Sequence, residues 1–245
     1  MYKISHISTS SSEGGSAISA KRIHEQLVVE GFNSELFVGN NEEEKKVNYL
    51  TRFPFLRNID RIIDFFLSKL GFQYFFVPSN LSFNKKLSES SIIQIYNIHG
   101  GFFQFSNLKK LNKIAPLIWR LSDYWSMTGH CAYPGECEKW KIMCKNCPAL
   151  DSYPEIGIDN TENIWREKKN ILEKLDLKIV VPSKQLYDDV KKSPILGEKE
   201  VFIIPNGIDT KKFKSMDNDY AKEKLKIPNK FTILFIAQVA FENYR

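Results

Sequence analysis

The chain has 245 residues, of which 42% are hydrophobic and 13% aromatic; this composition excludes a disordered protein and allows one or two packed domains. The net charge of +6 would suit an anionic partner, but the lysines are dispersed and no RNP-type motif or recognition helix is present, so nucleic acid is not expected as a partner. The sequence shows no signal-peptide pattern and no apolar run of ~18 residues, and therefore predicts a cytoplasmic protein.

Strands and helices are predicted to alternate along the chain. Strands are predicted at residues 2–7, 34–38, 92–98, 115–121, 178–181, 201–204 and 231–237, and helices at 17–28, 56–70 and 183–191. Gly31 and Gly71 are typical stop signals for the first two helices. This alternation predicts βαβ units and hence an α/β fold with a Rossmann-like, doubly wound, mostly parallel sheet, whose strand order the pattern does not specify.

A glycine turn joins the first predicted strand to the first predicted helix and contains Gly14, Gly15 and Ser16. Glycine lets the backbone approach a ligand closely, and the free amides at a helix N-terminus attract an anion. The spacing matches neither the dinucleotide fingerprint nor a Walker A loop. A tight turn that needs glycine only for its geometry is the alternative interpretation.

An amphipathic helix with a broad apolar stripe is predicted between Phe55 and Leu70, and aromatic residues continue to Phe76. Three basic residues accompany the stripe: Arg57, Arg61 and Lys69. A helix buried in the core shows the same pattern, and this is the favoured interpretation. The alternative is peripheral docking on anionic lipid at the inner face of the plasma membrane.

All four cysteines fall in one window with the spacing C-x5-C-x6-C-x2-C: Cys131, Cys137, Cys144 and Cys147. A Cys-x2-Cys pair is typical of zinc knuckles, and four thiolates would form a closed tetrahedral site. The spacing therefore predicts a structural zinc that holds a loop, with paired or free thiols as the alternative. A catalytic metal is disfavoured because four thiolates leave no open coordination position.

Three segments, in this order, resemble glycosyltransferase family 4, which transfers a sugar from a nucleotide-sugar donor between two facing Rossmann-like domains, the GT-B fold. They are the Gly14-Gly15 turn, the strand end IYNIHG at residues 95–100, and the segment IPNGID at residues 204–209 followed by Phe213, which resembles the interdomain linker. The resemblance covers essentially the whole chain.

A subgroup that builds exopolysaccharides and lipopolysaccharides is closer still. Its pattern of a strand, an aspartate, an aromatic-Trp pair, Thr-Gly and a cysteine-rich insertion is similar to residues 119–125, Thr128-Gly129 and residues 131–148. One position departs from the pattern. The subgroup usually has a histidine before the aspartate, whereas this sequence has Ser122, so a role of that histidine does not transfer.

The resemblance implies a domain organisation. Residues 1–204 are expected to form the N-terminal, acceptor-side domain, with residues 127–150 as the cysteine-rich insertion and 205–217 as the linker. Residues 218–245 are expected to begin the donor-binding domain, and Asn243-Tyr244-Arg245 resembles the start of the loop that carries its basic pair. With most of that domain beyond Arg245, the chain by itself is expected to be inactive.

The resemblance also implies a site. His99 and Asp123 are the catalytic candidates, and Gly14, Gly15 and Ser16 are expected to face the diphosphate of a UDP- or GDP-sugar donor. The acceptor is expected to be a saccharide or a lipid-linked sugar, with retention of configuration and no catalytic divalent metal. Taken without the resemblance, His99 could be a strand-end histidine and Asp123 a turn or N-cap aspartate. A non-catalytic saccharide- or partner-binding module, completed by a separate donor domain, is the alternative function.

Overall fold

The computed structural model of the protein describes residues 2–39 and 47–235. The strands in this part of the chain are β1 (Lys3–Ser8), β2 (Asn33–Val38), β3 (Asn48–Tyr49), β4 (Ile92–Ile95), β5 (Leu117–Arg120), β6 (Leu177–Val181) and β7 (Val201–Ile203). The α-helices are α1 (Gly15–Val29), α2 (Arg57–Lys69), α3 (Leu108–Asn112), α4 (Thr161–Leu172), α5 (Lys184–Lys192) and α6 (Asn218–Leu225). Short 3-10 helices lie at Pro54–Leu56, Pro78–Leu81, Lys85–Glu89, Phe105–Asn107 and Lys139–Lys141.

All seven strands are parallel and form one sheet in the order β3-β2-β1-β4-β5-β6-β7. From β1 the chain builds outward through β2 and β3, and it then crosses back to β4 on the other side of β1. The connections after β1 and β4 therefore diverge and leave a crevice at the carboxyl ends of these two strands. The predicted α/β class with a doubly wound parallel sheet is confirmed.

The sheet is buried on both faces. In β6 the consecutive residues Ile179, Val180 and Val181 are all buried, although neighbouring residues of a strand point to opposite faces. Helices or loops therefore cover both sides, as a parallel sheet requires. The core is continuous across the central strands, where Ile7 and Ile95 are fully buried.

The ends of most predicted strands and helices agree with the observed ends to within two or three residues. Differences occur at β3, α4 and β4. Strand β3 has two residues, too few to show a period, and α4 was not predicted although Ile164, Trp165 and Ile171 form a buried face. The strand predicted at 92–98 ends at Ile95, so that the following residues, including His99, lie in a loop.

The interpretation of α2 as a core helix is wrong. Its apolar stripe faces outward, with Phe65 exposed over 57% and Phe66 over 62% of their surfaces, while Arg57 and Asp60 are buried. The inward face is polar because it contacts a loop that needs hydrogen-bond partners, as described below. No helix among the described residues has the length and hydropathy of a membrane span.

Pro205 and Asn206 mark the boundary between two compact units, and the sheet lies within the first. In the second unit, α6 is capped by the Asp217 carboxylate, which accepts a hydrogen bond from the Tyr220 amide. The strand predicted at 231–237 is not formed over residues 231–235, because a strand needs a neighbour for its backbone groups. Residues 236–237 and the segment 243–245 lie outside the described part of the chain.

Candidate functional site

Three loops meet at the carboxyl edge of the sheet. The glycine turn follows β1, His99 follows β4 and Asp123 follows β5. These three strands are consecutive neighbours in the sheet, and the edge between β1 and β4 is the switch point where α/β folds bind ligands. The first two loops touch directly, since Thr9 Oγ1 donates a hydrogen bond to the Asn97 carbonyl oxygen at 2.9 Å.

His99 is buried, and both of its ring nitrogens have hydrogen-bond partners. Nε2 lies 2.9 Å from Asp123 Oδ2, and Nδ1 lies 3.2 Å from the hydroxyl oxygen of Tyr153. An ionised carboxylate only accepts hydrogen bonds, so Nε2 carries the proton and Nδ1 accepts from the Tyr153 hydroxyl. Asp123 therefore selects the tautomer of His99 and leaves its basic nitrogen facing Tyr153.

Asp123 also shapes its own loop. Its Oδ1 accepts a hydrogen bond from the Trp125 amide at 2.9 Å, the local turn that aspartate favours. One carboxylate oxygen of Asp123 thus stabilises the turn while the other contacts His99. Ser122, which replaces the histidine of the resembling subgroup, donates a hydrogen bond to Asn97 Oδ1 at 2.8 Å. The catalytic roles of His99 and Asp123 stay predictions.

Trp125 and Lys168 form the floor beneath His99. The Trp125 ring is buried, with its centroid 5.8 Å from that of the His99 ring. The Lys168 ammonium lies 3.7 Å from the Trp125 ring centroid and donates hydrogen bonds to the carbonyl oxygens of Trp125 and Thr128 at 2.6 and 3.2 Å. Burial lowers the pKa of Lys168 to about 7. A buried ammonium on α4 thus anchors the loop that carries Asp123.

The inward face of α2 holds the loop after His99. The Arg57 guanidinium donates hydrogen bonds to the carbonyl oxygens of Gly100 and Gly101. The Tyr74 hydroxyl accepts one from the Gly100 amide at 2.8 Å. A Cβ added to Gly101, whose φ is +70°, would lie 2.4 Å from Asp64 Oδ2, so only glycine fits against this carboxylate. Burial raises the pKa of Asp64 to about 6.

The glycine turn is open to solvent. Gly14 adopts a φ of +84° as the N-cap of α1, which explains why glycine is needed there. Gly15 is the first helical residue, and a Cβ added to it would meet no atom within 4 Å. The Ser10 hydroxyl orders the approach by accepting hydrogen bonds from the Ser12 and Glu13 amides, both at 3.0 Å. The turn therefore presents accessible backbone at the start of a helix.

The cysteine window closes around a small cavity. All four cysteines and His130 line this space of about 20 Å³, and His130 Nε2 lies 3.3 Å from Cys147 Sγ. Burial raises the pKa of Cys131 to about 11 and that of Cys144 to about 12. Within residues 2–39 and 47–235, no three His, Cys, Asp or Glu side chains are placed to hold a metal ion. The predicted structural zinc is therefore not supported, and none of the four cysteines is in a disulfide.

Three residues of this site were not singled out from the sequence: Asp64, Tyr153 and Lys168. Lys168 lies on the buried face of an unpredicted helix, and its spacing from Ile164 and Ile171 would have placed it inward had α4 been recognised. Tyr153 follows the cysteine window in a loop without periodicity. Its contact with His99 joins residues 54 positions apart, which no local pattern reveals.

The chain is similar to a curated protein and to solved structures. No protein-family model matches the chain. A stretch of 96 residues, 38% of the chain, is 35% identical to the putative colanic acid biosynthesis glycosyl transferase WcaC of Escherichia coli strain K12. The chain spans 23% of the length of that protein. The structure is similar to sucrose-phosphate synthase from Thermosynechococcus elongatus, with a TM-score of 0.50 and 15% identity over 93% of this chain and 53% of the other. At that identity the likeness shows the fold alone, a Rossmann-like α/β sheet.

Proposed function

We propose that this chain is the acceptor-side part of a glycosyltransferase of GT-B architecture, acting in cell-surface polysaccharide biosynthesis. One observation carries the proposal. His99, oriented by Asp123, lies at the switch point of a parallel sheet beside the glycine turn of the neighbouring strand. The partial similarity to a glycosyl transferase of colanic acid biosynthesis supports the same conclusion.

The donor is a nucleotide sugar, UDP- or GDP-linked, whose diphosphate faces Gly14, Gly15 and Ser16. The open turn and the start of a 15-residue helix supply amide donors and the positive end of the helix dipole. These groups stabilise the negative charge that develops on the leaving diphosphate. The reaction proceeds with retention of configuration and without a catalytic divalent metal, as the family resemblance implies. Structural zinc is not part of this proposal.

The acceptor is a saccharide, carried on a lipid, whose hydroxyl approaches His99. Because Asp123 holds the proton on Nε2, Nδ1 is the nitrogen that can accept a hydrogen bond from a sugar hydroxyl. Residues 205–217 form the interdomain linker, and residues 218–245 begin the donor-binding domain.

A pair of variants at Gly15 tests the donor site. Gly15→Pro removes one amide donor at the first helical position, where proline is tolerated, while Gly15→Ala keeps that amide and places its methyl group in open space. We expect UDP-glucose or GDP-mannose to shift the amide resonances of residues 14–16 in two-dimensional NMR. We expect Gly15→Pro to weaken this binding about tenfold, the loss of one charge-assisted hydrogen bond, and Gly15→Ala to leave it within about twofold.

Uridine and guanosine, which lack the diphosphate, serve as ligand controls and should leave these amides unmoved. Equal weakening by both Gly15 variants would show that the amide is not a ligand. Absence of any shift at residues 14–16 with either nucleotide sugar at millimolar concentration would contradict the donor assignment itself.

The lipid carrier is reached through the outward face of α2. This face and the following loop expose large apolar side chains: Phe55, Ile59, Ile62, Phe65, Phe66, Phe72, Phe75 and Phe76. Arg52, Arg61 and Lys69 are exposed in the same segment and complement an anionic bilayer. The opposite face of the same helix holds the loop after His99, so a bilayer on the apolar face lies one helix away from the site.

Vesicle flotation measures this contact. We expect the protein to float with phosphatidylcholine vesicles that contain phosphatidylserine, and the double change Phe65→Ser and Phe66→Ser to weaken partitioning about 30-fold, because two phenyl groups no longer bury. The double change Val28→Ser and Val29→Ser removes two exposed apolar side chains from α1 and is the matched control. Flotation of the phenylalanine variant at the wild-type level, with unchanged circular dichroism, would remove the membrane contact from the proposal.

A further inference from the structure

Tyr153 combines two properties that distinguish it from the other residues of the site. Its hydroxyl lies against His99 Nδ1, with the two ring centroids 5.4 Å apart in an edge-on arrangement. Yet 58% of its surface is exposed. The ring is thus an aromatic surface that stands in solvent beside the one histidine nitrogen that can accept a hydrogen bond from a substrate.

The backbone around Tyr153 is held from two sides. The Ala132 amide donates a hydrogen bond to the Tyr153 carbonyl oxygen at 2.8 Å. The carbonyl oxygen of Pro154 accepts hydrogen bonds from Gln73 Nε2 at 2.7 Å and from His130 Nδ1 at 3.0 Å. Gln73 also accepts a hydrogen bond from the indole of Trp125, beneath His99. Three residues from two separate segments therefore fix the backbone that carries this exposed ring, so that binding a ligand here costs little further backbone entropy.

The cysteine-rich segment supports the backbone that carries the Tyr153 ring. His130 and Ala132 belong to that segment, and both anchor the strip of backbone that carries Tyr153. The segment therefore acts as a support that delivers an aromatic side chain to the switch point. Sites that bind small molecules combine aromatic walls with a few polar groups that set orientation, and Tyr153 with His99 Nδ1 has this composition.

We propose that Tyr153 is a substrate-contacting residue that binds the acceptor sugar, its exposed ring packing against the apolar face of the sugar while its hydroxyl leaves His99 Nδ1 to the incoming sugar hydroxyl. The proposal rests on the proposed function, because it assigns the acceptor side of the same site. It divides the side chain into two parts, the ring that contributes affinity and the hydroxyl that occupies His99 in the absence of acceptor.

Two substitutions separate these parts. Tyr153→Phe keeps the ring and removes the hydroxyl, whereas Tyr153→Ala removes both. Tyr133, which is 60% exposed in the cysteine-rich segment, provides the matched control Tyr133→Ala. The probes are the methyl glycosides of glucose, galactose, mannose and fucose, titrated into the full chain while the imidazole nitrogens of His99 are followed by ¹⁵N NMR.

We expect at least one glycoside to move the Nδ1 resonance of His99 in the wild-type protein. Tyr153→Ala should weaken that glycoside roughly tenfold, and Tyr153→Phe and Tyr133→Ala should bind it within about twofold of wild type. In the free protein, Tyr153→Phe should shift Nδ1 and leave the Nε2–H signal in place, because Asp123 still accepts that proton. This shift checks the hydrogen bond between Tyr153 and His99, and the glycoside affinities of the variants check the role of the ring in binding.

Wild-type affinity in Tyr153→Ala would overturn the proposal. So would a wild-type protein in which no glycoside moves Nδ1. If the amides of residues 14–16 respond to nucleotide sugar in the same protein, the failure belongs to the acceptor assignment and the donor site stands. If neither probe binds, the proposed function fails with it.

Discussion

Trp125→Ala is expected to lower the free energy of unfolding by about 3–5 kcal/mol, the range measured when a buried tryptophan is truncated. The Trp125 ring packs against Tyr74 and Phe105 with centroid distances of 5.5 and 5.6 Å, and it covers the Lys168 ammonium. Truncation leaves a cavity under His99 and exposes a buried ammonium to that cavity. The measurement is urea unfolding followed by far-ultraviolet circular dichroism.

Two further variants serve as comparisons for Trp125→Ala. Trp125→Phe retains an aromatic ring and loses the indole hydrogen bond to Gln73, so it should cost about 1–3 kcal/mol. Phe55→Ala removes a ring that is 72% exposed and should change stability by about 0.5 kcal/mol or less. A Trp125→Ala protein within about 1 kcal/mol of wild type would show that the residue does not support the site.

Lys168→Met is expected to change how stability depends on pH. Burial lowers the pKa of Lys168 to about 7 in the folded state, against 10.5 for the ordinary side chain. Between these values the unfolded chain binds more protons than the folded protein, so this residue makes stability rise with pH, and its contribution is lost as pH falls toward 7. Over pH 7 to 9.5 the wild type should gain about 3 kcal/mol relative to Lys168→Met.

The pH profile of the wild type must be compared with that of Lys168→Met, because the buried thiols change stability with pH in the opposite direction to Lys168. The raised pKa values of Cys131 and Cys144 make stability fall above about pH 8.5, where unfolded thiols ionise, and both proteins contain these two thiols. Lys174→Met, at an exposed position, should follow the wild-type profile. Parallel profiles for wild type and Lys168→Met would show that the ammonium is not desolvated as the structure indicates.

These two residues show how the site is supported. His99 is oriented by Asp123, the loop of Asp123 is anchored by Lys168, and the loop after His99 is held by Arg57. The supports come from α4 and α2, two helices far apart in sequence. The orientation of His99 and Asp123 at the carboxyl edge of the sheet therefore depends on side chains from two helices that are distant in sequence.

The amphipathic helix α2 shows what hydrophobic periodicity does not determine. The apolar stripe was visible, and a stripe on a helix most often packs inward. The inward face is instead set by Arg57 and Asp60, whose partners are backbone groups of the loop after His99 and of the 3-10 helix Pro78–Leu81. Periodicity identifies the two faces of a helix, but the partners available in the tertiary structure decide which of them is buried.

The sequence by itself determined the alternation of strands and helices, the parallel α/β class, the glycine turn after β1 and the positions of His99 and Asp123 on the carboxyl side of β4 and β5. These follow from local properties, namely hydrophobic period, the φ freedom of glycine and the ends of apolar runs. Only the tertiary structure decided the strand order, the pairing of His99 with Asp123 and Tyr153, and the outward orientation of the apolar face of α2. Those features depend on hydrogen bonds and packing between residues that are distant in sequence. Such long-range contacts produce no periodic pattern in the local sequence.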